Sequence, residues 1–326
     1  MNKIRWGIVG PGCIANKFAD AIKNVDTAKL VAVASRTKEN GEKFAHKHGI
    51  DIVFSSYEDM AKSNDVDAVY IATPHPFHLP CAQLFLNAKK HVLCEKPLCV
   101  NAAQAEVLKK CAEENGVFLM EAMWTRFLPA VKEIEEMVKS GTIGEVSGVS
   151  ADFCYASAPE IESKLFENHM AGGSLLDVGV YALHFVSIFL GDEPDEICSL
   201  AKIGYDVDLH TQVVLKYKNG AIASVSSAID LQKREDAYIY GTKGYIYIPV
   251  FYGAKDFYVY TDGKETHIEK PSMGDGFEEE IYEVCRCINM GKIQSDILPV
   301  EKSIKILNQM DVIRKQIGVK YPLDFE

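Results

Sequence analysis

The chain has 326 residues, of which 48% are hydrophobic and 25% are charged, and its mass is 36.2 kDa. This length is typical of two domains, and the composition indicates ordinary globular cores rather than disorder. The 46 acidic residues outnumber the 35 basic ones, which gives a net charge of −11 and a pI near 5.4. Such a chain repels a phosphate backbone, so the charge argues against nucleic-acid binding.

The apolar runs and the cysteines bear on the cellular location of the protein. The run from Val180 to Leu190 is interrupted by His184 and is too short to span a bilayer, so we expect no membrane segment. The N-terminal residues lack an apolar stretch followed by a small-residue cleavage site, so no signal peptide is expected. Nine cysteines without a Cys-x-x-Cys spacing predict reduced thiols and no metal site. We expect a cytoplasmic protein.

Short apolar runs alternate with helical periods over the first 120 residues. Strands are expected at Ile4–Val9, Leu30–Ala34, Ala68–Ala72, His91–Cys94 and Val117–Met120. Helices are expected at Cys13–Lys23, Glu39–His48, Pro80–Asn87 and Ala102–Asn115. Because the strands are apolar throughout, both of their faces should be buried, which is typical of a parallel sheet covered by helices. We predict an α/β domain with a Rossmann-type, doubly wound parallel sheet over residues 1–122.

The pattern changes after residue 120. Helices are expected at about Pro129–Ser140, Ser174–Leu190, Phe277–Asn289 and Val300–Gln316. Strands are expected at Val146–Tyr155, Ile197–Ile203, Thr211–Tyr217, Ala221–Ser227, Ala237–Tyr240, Tyr245–Pro249 and Phe257–Tyr260. Closely spaced strands joined by tight turns are typical of antiparallel pairing. We predict an α+β domain over residues 123–326, with a large open, mostly antiparallel sheet.

A glycine-rich turn follows the first strand and opens the first helix. It reads Gly10-Pro11-Gly12-Cys13-Ile14-Ala15, a GxGxxA variant. The first glycine permits the tight turn, the second lets the backbone approach a pyrophosphate, and the alanine keeps helix and strand close. The helix N-terminus offers N–H groups and positive partial charge to the phosphates. We predict that this turn binds a dinucleotide through Gly10, Gly12, Cys13, Ile14 and Ala15. The alternative is a plain structural turn.

The end of the second strand bears on which dinucleotide is bound. An NAD site usually has a carboxylate there for the ribose 2′-hydroxyl, whereas an arginine suits a 2′-phosphate. This chain has Ser35-Arg36-Thr37-Lys38 and no acid in that stretch. The hydroxyl of Ser35 and the guanidinium of Arg36 can both bond a phosphate. We predict that NADP(H) is preferred and keep NAD(H) as the alternative; a solvated basic loop would explain the same residues.

Two loops follow later strands of the predicted parallel sheet. They read Thr73-Pro74-His75-Pro76-Phe77-His78 and Glu95-Lys96-Pro97. Loops at the carboxyl ends of parallel strands line the ligand crevice. We therefore predict cofactor contacts from Thr73, Pro74, His78, Glu95 and Lys96. Surface positions for the histidines, and an exposed salt bridge between the lysine and the glutamate, are the alternatives.

A polar pattern marks the apolar helix of the second half. Gly172-Gly173 is followed by Asp177 and, four residues later, by Tyr181, so both side chains should project from one helical face. His184 lies three residues further along. Buried polar groups need hydrogen-bond partners, so these side chains are either catalytic or a structural pair.

Together these motifs resemble the family of glucose–fructose oxidoreductase, inositol dehydrogenase and the rhizopine-catabolism proteins, the Gfo/Idh/MocA type. Glu95-Lys96-Pro97 is the best-known motif of that family. The segment Met120–Phe127, MEAMWTRF, and the Gly172-to-Tyr181 pattern are similar to the branch of dimeric dihydrodiol dehydrogenase and NADP-dependent D-xylose dehydrogenase. The resemblance covers essentially the whole chain and is far more specific for the family than for a substrate.

The resemblance implies hydride transfer between a nicotinamide cofactor and a sugar, a polyol or a trans-diol. It places the family's catalytic lysine on Lys96, its aspartate on Asp177 and its histidine-or-tyrosine acid on Tyr181. A tyrosine there makes an inositol substrate less expected. The resemblance also places Trp124 and Phe153 in the substrate pocket, to which we add Tyr181 and His184 from their shared helix.

Two assignments stay open at this point. Either Tyr181, with Lys96 stabilising its phenolate, or Lys96 itself takes the hydroxyl proton. The protein is also either a dehydrogenase, a catalytically silent NADP-sensing regulator on the same fold, or an enzyme that cleaves glycosides by transient oxidation with bound NAD(P). The complete set of Lys96, Asp177 and Tyr181 favours the dehydrogenase.

Some strands of the second half have apolar or aromatic residues at every position. Tyr245–Ile248 and Phe257–Tyr260 are examples, whereas few helices are available to cover both faces of so large a sheet. A large exposed apolar patch usually marks an interface. We expect a homodimer that packs sheet against sheet, with a small-molecule substrate and no nucleic-acid or membrane partner.

Overall fold

A six-stranded parallel sheet organises the first part of the chain, and the computed structural model describes residues 3–325. Its strands pair in the order β3-β2-β1-β4-β5-β6, as in a doubly wound fold. They are β1 (Ile4–Val9), β2 (Ala28–Ala34), β3 (Ile52–Phe54), β4 (Ala68–Ile71), β5 (His91–Glu95) and β6 (Leu119–Ala122). The predicted parallel sheet is confirmed. The three-residue strand β3 was not predicted, because it is too short to show a period.

Nine α-helices lie within the described residues. They are α1 (Cys13–Ala21), α2 (Lys38–His48), α3 (Tyr57–Lys62), α4 (His78–Asn87), α5 (Ala102–Asn115), α6 (Pro129–Lys139), α7 (Val180–Leu190), α8 (Phe277–Asn289) and α9 (Val300–Ile317). A π-helical turn, Leu175–Gly179, leads directly into α7. The expected helix from Ser174 to Leu190 is therefore two kinds of helix in succession.

The second sheet has eight strands in the order β14-β13-β12-β11-β7-β10-β9-β8. They are β7 (Val146–Cys154), β8 (Glu196–Gly204), β9 (Val207–Lys216), β10 (Ile222–Ala228), β11 (Ala237–Gly241), β12 (Gly244–Ile248), β13 (Asp256–Thr261) and β14 (Lys264–Glu269). All pairs are antiparallel except β7 with β10. The predicted open, mostly antiparallel sheet is confirmed.

The chain divides into two compact units by its internal contacts. The first contains the described residues up to Trp124 together with Met273–Ile304, and the second contains Thr125–Ser272 and the described residues from Lys305 onward. Helix α8 falls within the predicted domain over residues 123–326, but it packs in the first unit against α1 and β2. Its apolar face, which includes Ile281 and Val284, is fully buried there. Sequence order alone does not show such a long-range return of the chain.

One face of the second sheet is covered and the other is rich in tyrosine. Helix α7 packs on β7 and β10. On β12 and β13, isoleucine, phenylalanine and valine side chains are buried, whereas the alternating tyrosines are half-buried or exposed. Six tyrosines from three neighbouring strands form this patch, the tyrosine face: Tyr238, Tyr240, Tyr245, Tyr247, Tyr258 and Tyr260. The rings of Tyr245 and Tyr260 stack with centroids 5.1 Å apart.

Within residues 3–325, one helical segment has the length and hydropathy of a membrane span. It is Asn168–Leu190, which is longer than the run from Val180 considered from sequence. However, 72% of its most apolar window is buried inside the protein, which is the pattern of a core helix.

Candidate active site

The glycine turn follows β1 as predicted and brings two strand ends together. Gly10 has φ +83°, and a Cβ atom at this position would lie 3.1 Å from the carbonyl oxygen of Ala72. A larger residue would therefore be strained and would crowd the end of β4. Gly12 precedes α1 and has open space around its Cβ position within 4 Å. Ala15 is fully buried against the sheet.

The start of α1 fits a bound phosphate group. Among the described residues, no side chain caps this helix at Gly12, and its first turn has no acidic residue. Cys13 is exposed and Ile14 is half-buried, so both lie at the accessible end of the helix. Uncapped N–H groups at a helix N-terminus bind anions well. The turn fits the pyrophosphate of a dinucleotide, which Gly12 can approach closely.

The end of β2 presents a cation beside an aromatic ring. Ser35 is buried, and its hydroxyl accepts a hydrogen bond from the N–H of Thr37 at 3.4 Å. Arg36 is exposed, with its guanidinium carbon 5.9 Å from the centroid of the Phe77 ring, which is 40% exposed. Glu39, the next acid along the chain, is paired with Lys43 at 2.7 Å. This surface therefore favours an anionic ligand with a flat group, and Phe77 is a residue that sequence reasoning passed over.

His78 joins the loops that follow β4 and β5. It is fully buried, and its ring nitrogens lie 2.8 Å from the carbonyl oxygens of Thr73 and Pro97. Burial lowers the pKa of His78, although both carbonyl groups oppose that shift. The predicted direct contact between His78 and a cofactor is thus not supported, since both ring nitrogens already contact the backbone. Thr73 is also buried and Pro74 is half-buried.

The Glu-Lys-Pro motif presents a single side chain. Between Val92 and Val100, Lys96 is the one residue that is not buried. Glu95, the last residue of β5, is buried and accepts hydrogen bonds from the hydroxyl of Tyr70 and from the backbone N–H of Lys96. Burial raises the pKa of Glu95, whereas the charge of Lys96 lowers it. The backbone of Lys96 is therefore held by the carboxylate of Glu95, the residue before it.

The second unit holds Asp177 and Tyr181 on adjoining turns. Asp177 is half-buried in the π-helical turn, and Tyr181 is buried in the first turn of α7. A π turn closes i→i+5 hydrogen bonds, so the four-residue spacing does not align the two side chains as it would in a regular α-helix. The hydroxyl of Tyr155 donates to Oδ2 of Asp177 at 2.7 Å. Burial and the aspartate raise the pKa of Tyr155, so this phenol stays a donor.

An aromatic cluster surrounds Tyr181. The ring of Phe153, which is 9% exposed, stacks on Tyr252 with centroids 4.0 Å apart and lies 5.5 Å from that of Tyr181. Tyr252 is half-buried, and its hydroxyl donates to Glu235 at 3.0 Å. Tyr252 covers one face of Phe153, so the ring of Tyr252 is the more accessible of these two rings. Neither Tyr155 nor Tyr252 was found from sequence; only the aromatic pair after β12 could have suggested the second.

His184 and Trp124, both predicted to line the substrate pocket, contact other side chains of the protein. His184 is 1% exposed, and its Nδ1 accepts a hydrogen bond from Nε of Arg126 at 3.3 Å. The same arginine donates to Ser187 at 2.6 Å, so His184 belongs to a buried polar cluster. The pocket role of His184 therefore stays a prediction, and helical spacing alone does not distinguish a core position from a cavity position. Trp124 stacks on Phe277 of α8, with centroids 5.2 Å apart, within the first unit.

Cysteines and metal-ligating side chains are scattered. All nine cysteines are free, and seven of them are buried. Within residues 3–325, His, Cys, Asp and Glu side chains form no group of three or more suited to a metal ion.

A doubly wound sheet with an open glycine turn is typical of dinucleotide-binding domains, and comparisons with known proteins identify the class of this protein. The oxidoreductase family with an NAD-binding Rossmann fold matches residues 4–123, and the GFO/IDH/MocA C-terminal domain matches residues 131–247. The chain belongs to the GFO/IDH/MocA oxidoreductase family. The predicted family resemblance is confirmed.

Curated relatives and solved structures agree with this assignment. Trans-1,2-dihydrobenzene-1,2-diol dehydrogenases from Danio rerio and Homo sapiens are 34% and 32% identical, over 98% of this chain and 99% of theirs. The 3-ketoreductase KijD10 of Actinomadura kijaniata, solved with NADP and TDP-benzene, has a TM-score of 0.88 and 25% identity, over 97% of this chain and 98% of its own. An aldose-aldose oxidoreductase from Caulobacter crescentus, at 23% identity and TM-score 0.89 over 97% of this chain and 98% of its own, shares the fold.

Proposed function

We propose that the protein is an NADP(H)-dependent dehydrogenase that acts on a CH–OH group of a sugar, a polyol or a trans-diol. The observation that carries the proposal is the position of Lys96: it directly follows a parallel strand of a Rossmann-type sheet and is the one residue between Val92 and Val100 that is not buried. Relatives named as dihydrodiol dehydrogenases, and structural neighbours named as a ketoreductase and an aldose oxidoreductase, support this substrate class.

The residues at the end of β2 support NADP(H) as the preferred cofactor. Arg36 is exposed, the buried Ser35 holds the backbone of that loop, and no carboxylate lies between residues 35 and 38. A guanidinium forms short, charge-assisted hydrogen bonds with a phosphate, which a 2′-hydroxyl cannot match. KijD10 was solved with NADP, in keeping with this proposal.

We assign the proton transfer to Tyr181, with Lys96 as the cation that stabilises its phenolate. When bound, the nicotinamide ring accepts or returns the hydride. In oxidation, the substrate carbon loses its hydride while the phenolate of Tyr181 takes the hydroxyl proton, and a carbonyl forms. A tyrosine of ordinary pKa near 10 needs such a cation to act near neutral pH. Lys96 as the direct base remains the second candidate.

Asp177 and the aromatic cluster complete the proposed substrate site. Tyr155 orients the carboxylate of Asp177, which can accept a hydrogen bond from a substrate hydroxyl. The rings of Phe153, Tyr181 and Tyr252 supply an apolar wall. Hydroxyl-bearing rings have one polar edge and apolar faces, which such a wall accommodates.

The tyrosine face is the proposed dimer interface. Six aromatic side chains with hydroxyl tips are typical of surfaces that bind another protein, and an isologous contact would cover two such sheets at once. A reducing, cytoplasmic location fits the nine free cysteines.

The test is a panel of aldoses, polyols and trans-diols offered to the purified protein with NADP⁺ or NAD⁺, with reduced cofactor followed by absorbance. NADP⁺ reduction with at least one substrate class, lost in Lys96→Met, is the expected result. Tight NADPH binding without turnover of any panel member would instead indicate a sensor. Glycoside cleavage without net cofactor reduction would indicate transient oxidation.

A further inference from the structure

A buried carboxylate on β9 lies at the N-terminal end of the segment that carries Asp177 and Tyr181. Asp208 is fully buried, and its Oδ2 accepts hydrogen bonds from the backbone N–H of Leu175 at 2.7 Å and from the hydroxyls of Ser174 at 2.7 Å and Thr211 at 2.8 Å. The Leu175 N–H is the first of the π-helical turn. Asp208 therefore acts as a cap supplied from a distant strand.

The backbone before the cap is strained. Ala171 has φ +52° and Gly173 has φ +108°, both outside the conformations that side-chain-bearing residues favour. A Cβ atom on Gly173 would lie 2.3 Å from Oδ1 of Asp208. The hydroxyl of Tyr321 donates to the carbonyl oxygen of Gly172. The turn is thus held at Gly172, Ser174 and Leu175 by groups from elsewhere in the second unit.

The π-helical turn itself is held from a second strand. The hydroxyl of Ser227, on β10, lies 3.0 Å from the hydroxyl of Ser174 and can donate to it. The same Ser227 hydroxyl lies 3.1 Å from the Cβ position of Gly179, at the other end of the turn. A π turn has poorer geometry than an α-helix and persists where surrounding contacts determine it. Asp208 supplies the strongest of these contacts, since it accepts three hydrogen bonds in a buried setting.

We infer that Asp208 is a positioning residue of the dehydrogenase: it fixes the Gly173 turn and the π-helical turn so that Asp177 meets Tyr155 and the substrate. The inference rests on the proposed function. Burial raises the pKa of Asp208, while its three donors favour the carboxylate, so the site is specific for a side chain that accepts several hydrogen bonds. An asparagine of the same shape keeps one acceptor oxygen and should replace it in part.

The decisive experiment compares Asp208→Ala, Asp208→Asn and Val213→Ala. Val213 lies on the same strand and is 1% exposed, so its truncation should destabilise the unit while every hydrogen bond of the cap keeps its donor and acceptor. Losing the cap should lower kcat per folded molecule roughly 100-fold in Asp208→Ala and roughly 10-fold in Asp208→Asn. The KM for the cofactor should stay within about twofold, and Val213→Ala should keep its kcat despite a lower Tm.

Amide hydrogen exchange separates this inference from the proposed function. In peptides spanning residues 171–181, amide exchange should be about 10-fold faster in Asp208→Asn than in the wild type. In Val213→Ala it should equal the wild-type rate. This readout decides whether Asp208 holds the turn even if no panel substrate is turned over. Unchanged exchange in Asp208→Asn would overturn the inference, and so would faster exchange with an unchanged kcat, which would leave Asp208 a structural residue.

Discussion

Tyr155 donates its hydroxyl hydrogen to Asp177 over 2.7 Å, from the residue after β7 to the π-helical turn that precedes α7. The two residues are 22 positions apart in the chain. The phenol has its pKa raised by burial and by the aspartate, so it remains protonated and keeps the carboxylate in one orientation. An aspartate held in this way is preorganised for a substrate hydroxyl.

Tyr155→Phe removes this hydrogen bond and keeps the ring. We expect kcat to fall about 10-fold, because Asp177 loses its orienting donor. Affinity for NADPH, measured by fluorescence titration, should not change. Tyr282→Phe, on an exposed position of α8, is the matched control. A kcat equal to wild type in Tyr155→Phe would show that Asp177 is oriented by other groups.

Lys96→Met and Tyr181→Phe should each remove most turnover while the protein still binds NADPH. The methionine keeps the length of the lysine but not its charge, and the phenylalanine keeps the ring but not the acidic hydroxyl. General acid–base groups typically contribute 10²–10⁴-fold to a rate, so losses of about that size are expected in kcat. Lys110→Met on the exposed side of α5 is the control. Near-normal turnover in either variant would exclude that residue from proton transfer.

Arg36→Ala should weaken NADP(H) binding and leave NAD(H) binding nearly unchanged. One charge-assisted contact of about 1.5–3 kcal/mol corresponds to roughly a 10- to 100-fold loss of affinity. Lys38→Ala is the matched control, since Lys38 lies two residues after Arg36 and is paired with Glu42 at 3.6 Å. Dissociation constants for both cofactors by fluorescence titration provide the measurement. Equal losses for the two cofactors would contradict a contact with the 2′-phosphate.

Glu280→Gln should be more stable than the wild type, by a difference that grows as the pH rises. Glu280 is fully buried in the first turn of α8, and burial, with the nearby charge of Glu95, raises its pKa well above the usual range. The unfolded glutamate ionises above about pH 4.5 while the folded one stays protonated, so stability falls with increasing pH in that window. The slope for one proton is at most about 1.4 kcal/mol per pH unit, and glutamine lacks it.

Thermal unfolding of wild type and Glu280→Gln from about pH 5 to about pH 8 measures this difference. The gap in Tm should widen in favour of the variant as the pH increases. Glu114→Gln, at an exposed position of α5, should show a constant gap. A gap that narrows with pH would mean that the folded protein holds Glu280 ionised.

The protein should be a dimer in solution through the tyrosine face. Two chains of 36.2 kDa give 72.4 kDa, which light scattering on a size-exclusion column should report at micromolar concentration. Tyr240 and Tyr260 are 43% and 37% exposed, so changing both to glutamate should yield a monomer. Tyr282→Glu, outside this patch, should remain dimeric. A stable 36.2 kDa wild-type species would show that another contact covers the sheet.

Local patterns were enough to predict both sheets, the glycine turn and the family. A strand buried on both faces is apolar throughout, and a dinucleotide turn needs small residues at fixed spacing, so both features can be read over short stretches. The predicted ends of β1 and α5 agree with the structure for the same reason. The lysine of the Glu-Lys-Pro motif was also correctly placed at the end of a strand.

The partners of polar side chains depended on the folded chain. Asp208 meets Leu175, and Tyr155 meets Asp177, because the π-helical turn packs against strands that lie more than 20 positions away in the chain. The π-helical turn and the burial of His184 have no local signature, since helical spacing is the same for a core residue and a pocket residue. A hydrogen bond between distant residues is a property of packing, and packing is decided by the whole chain at once.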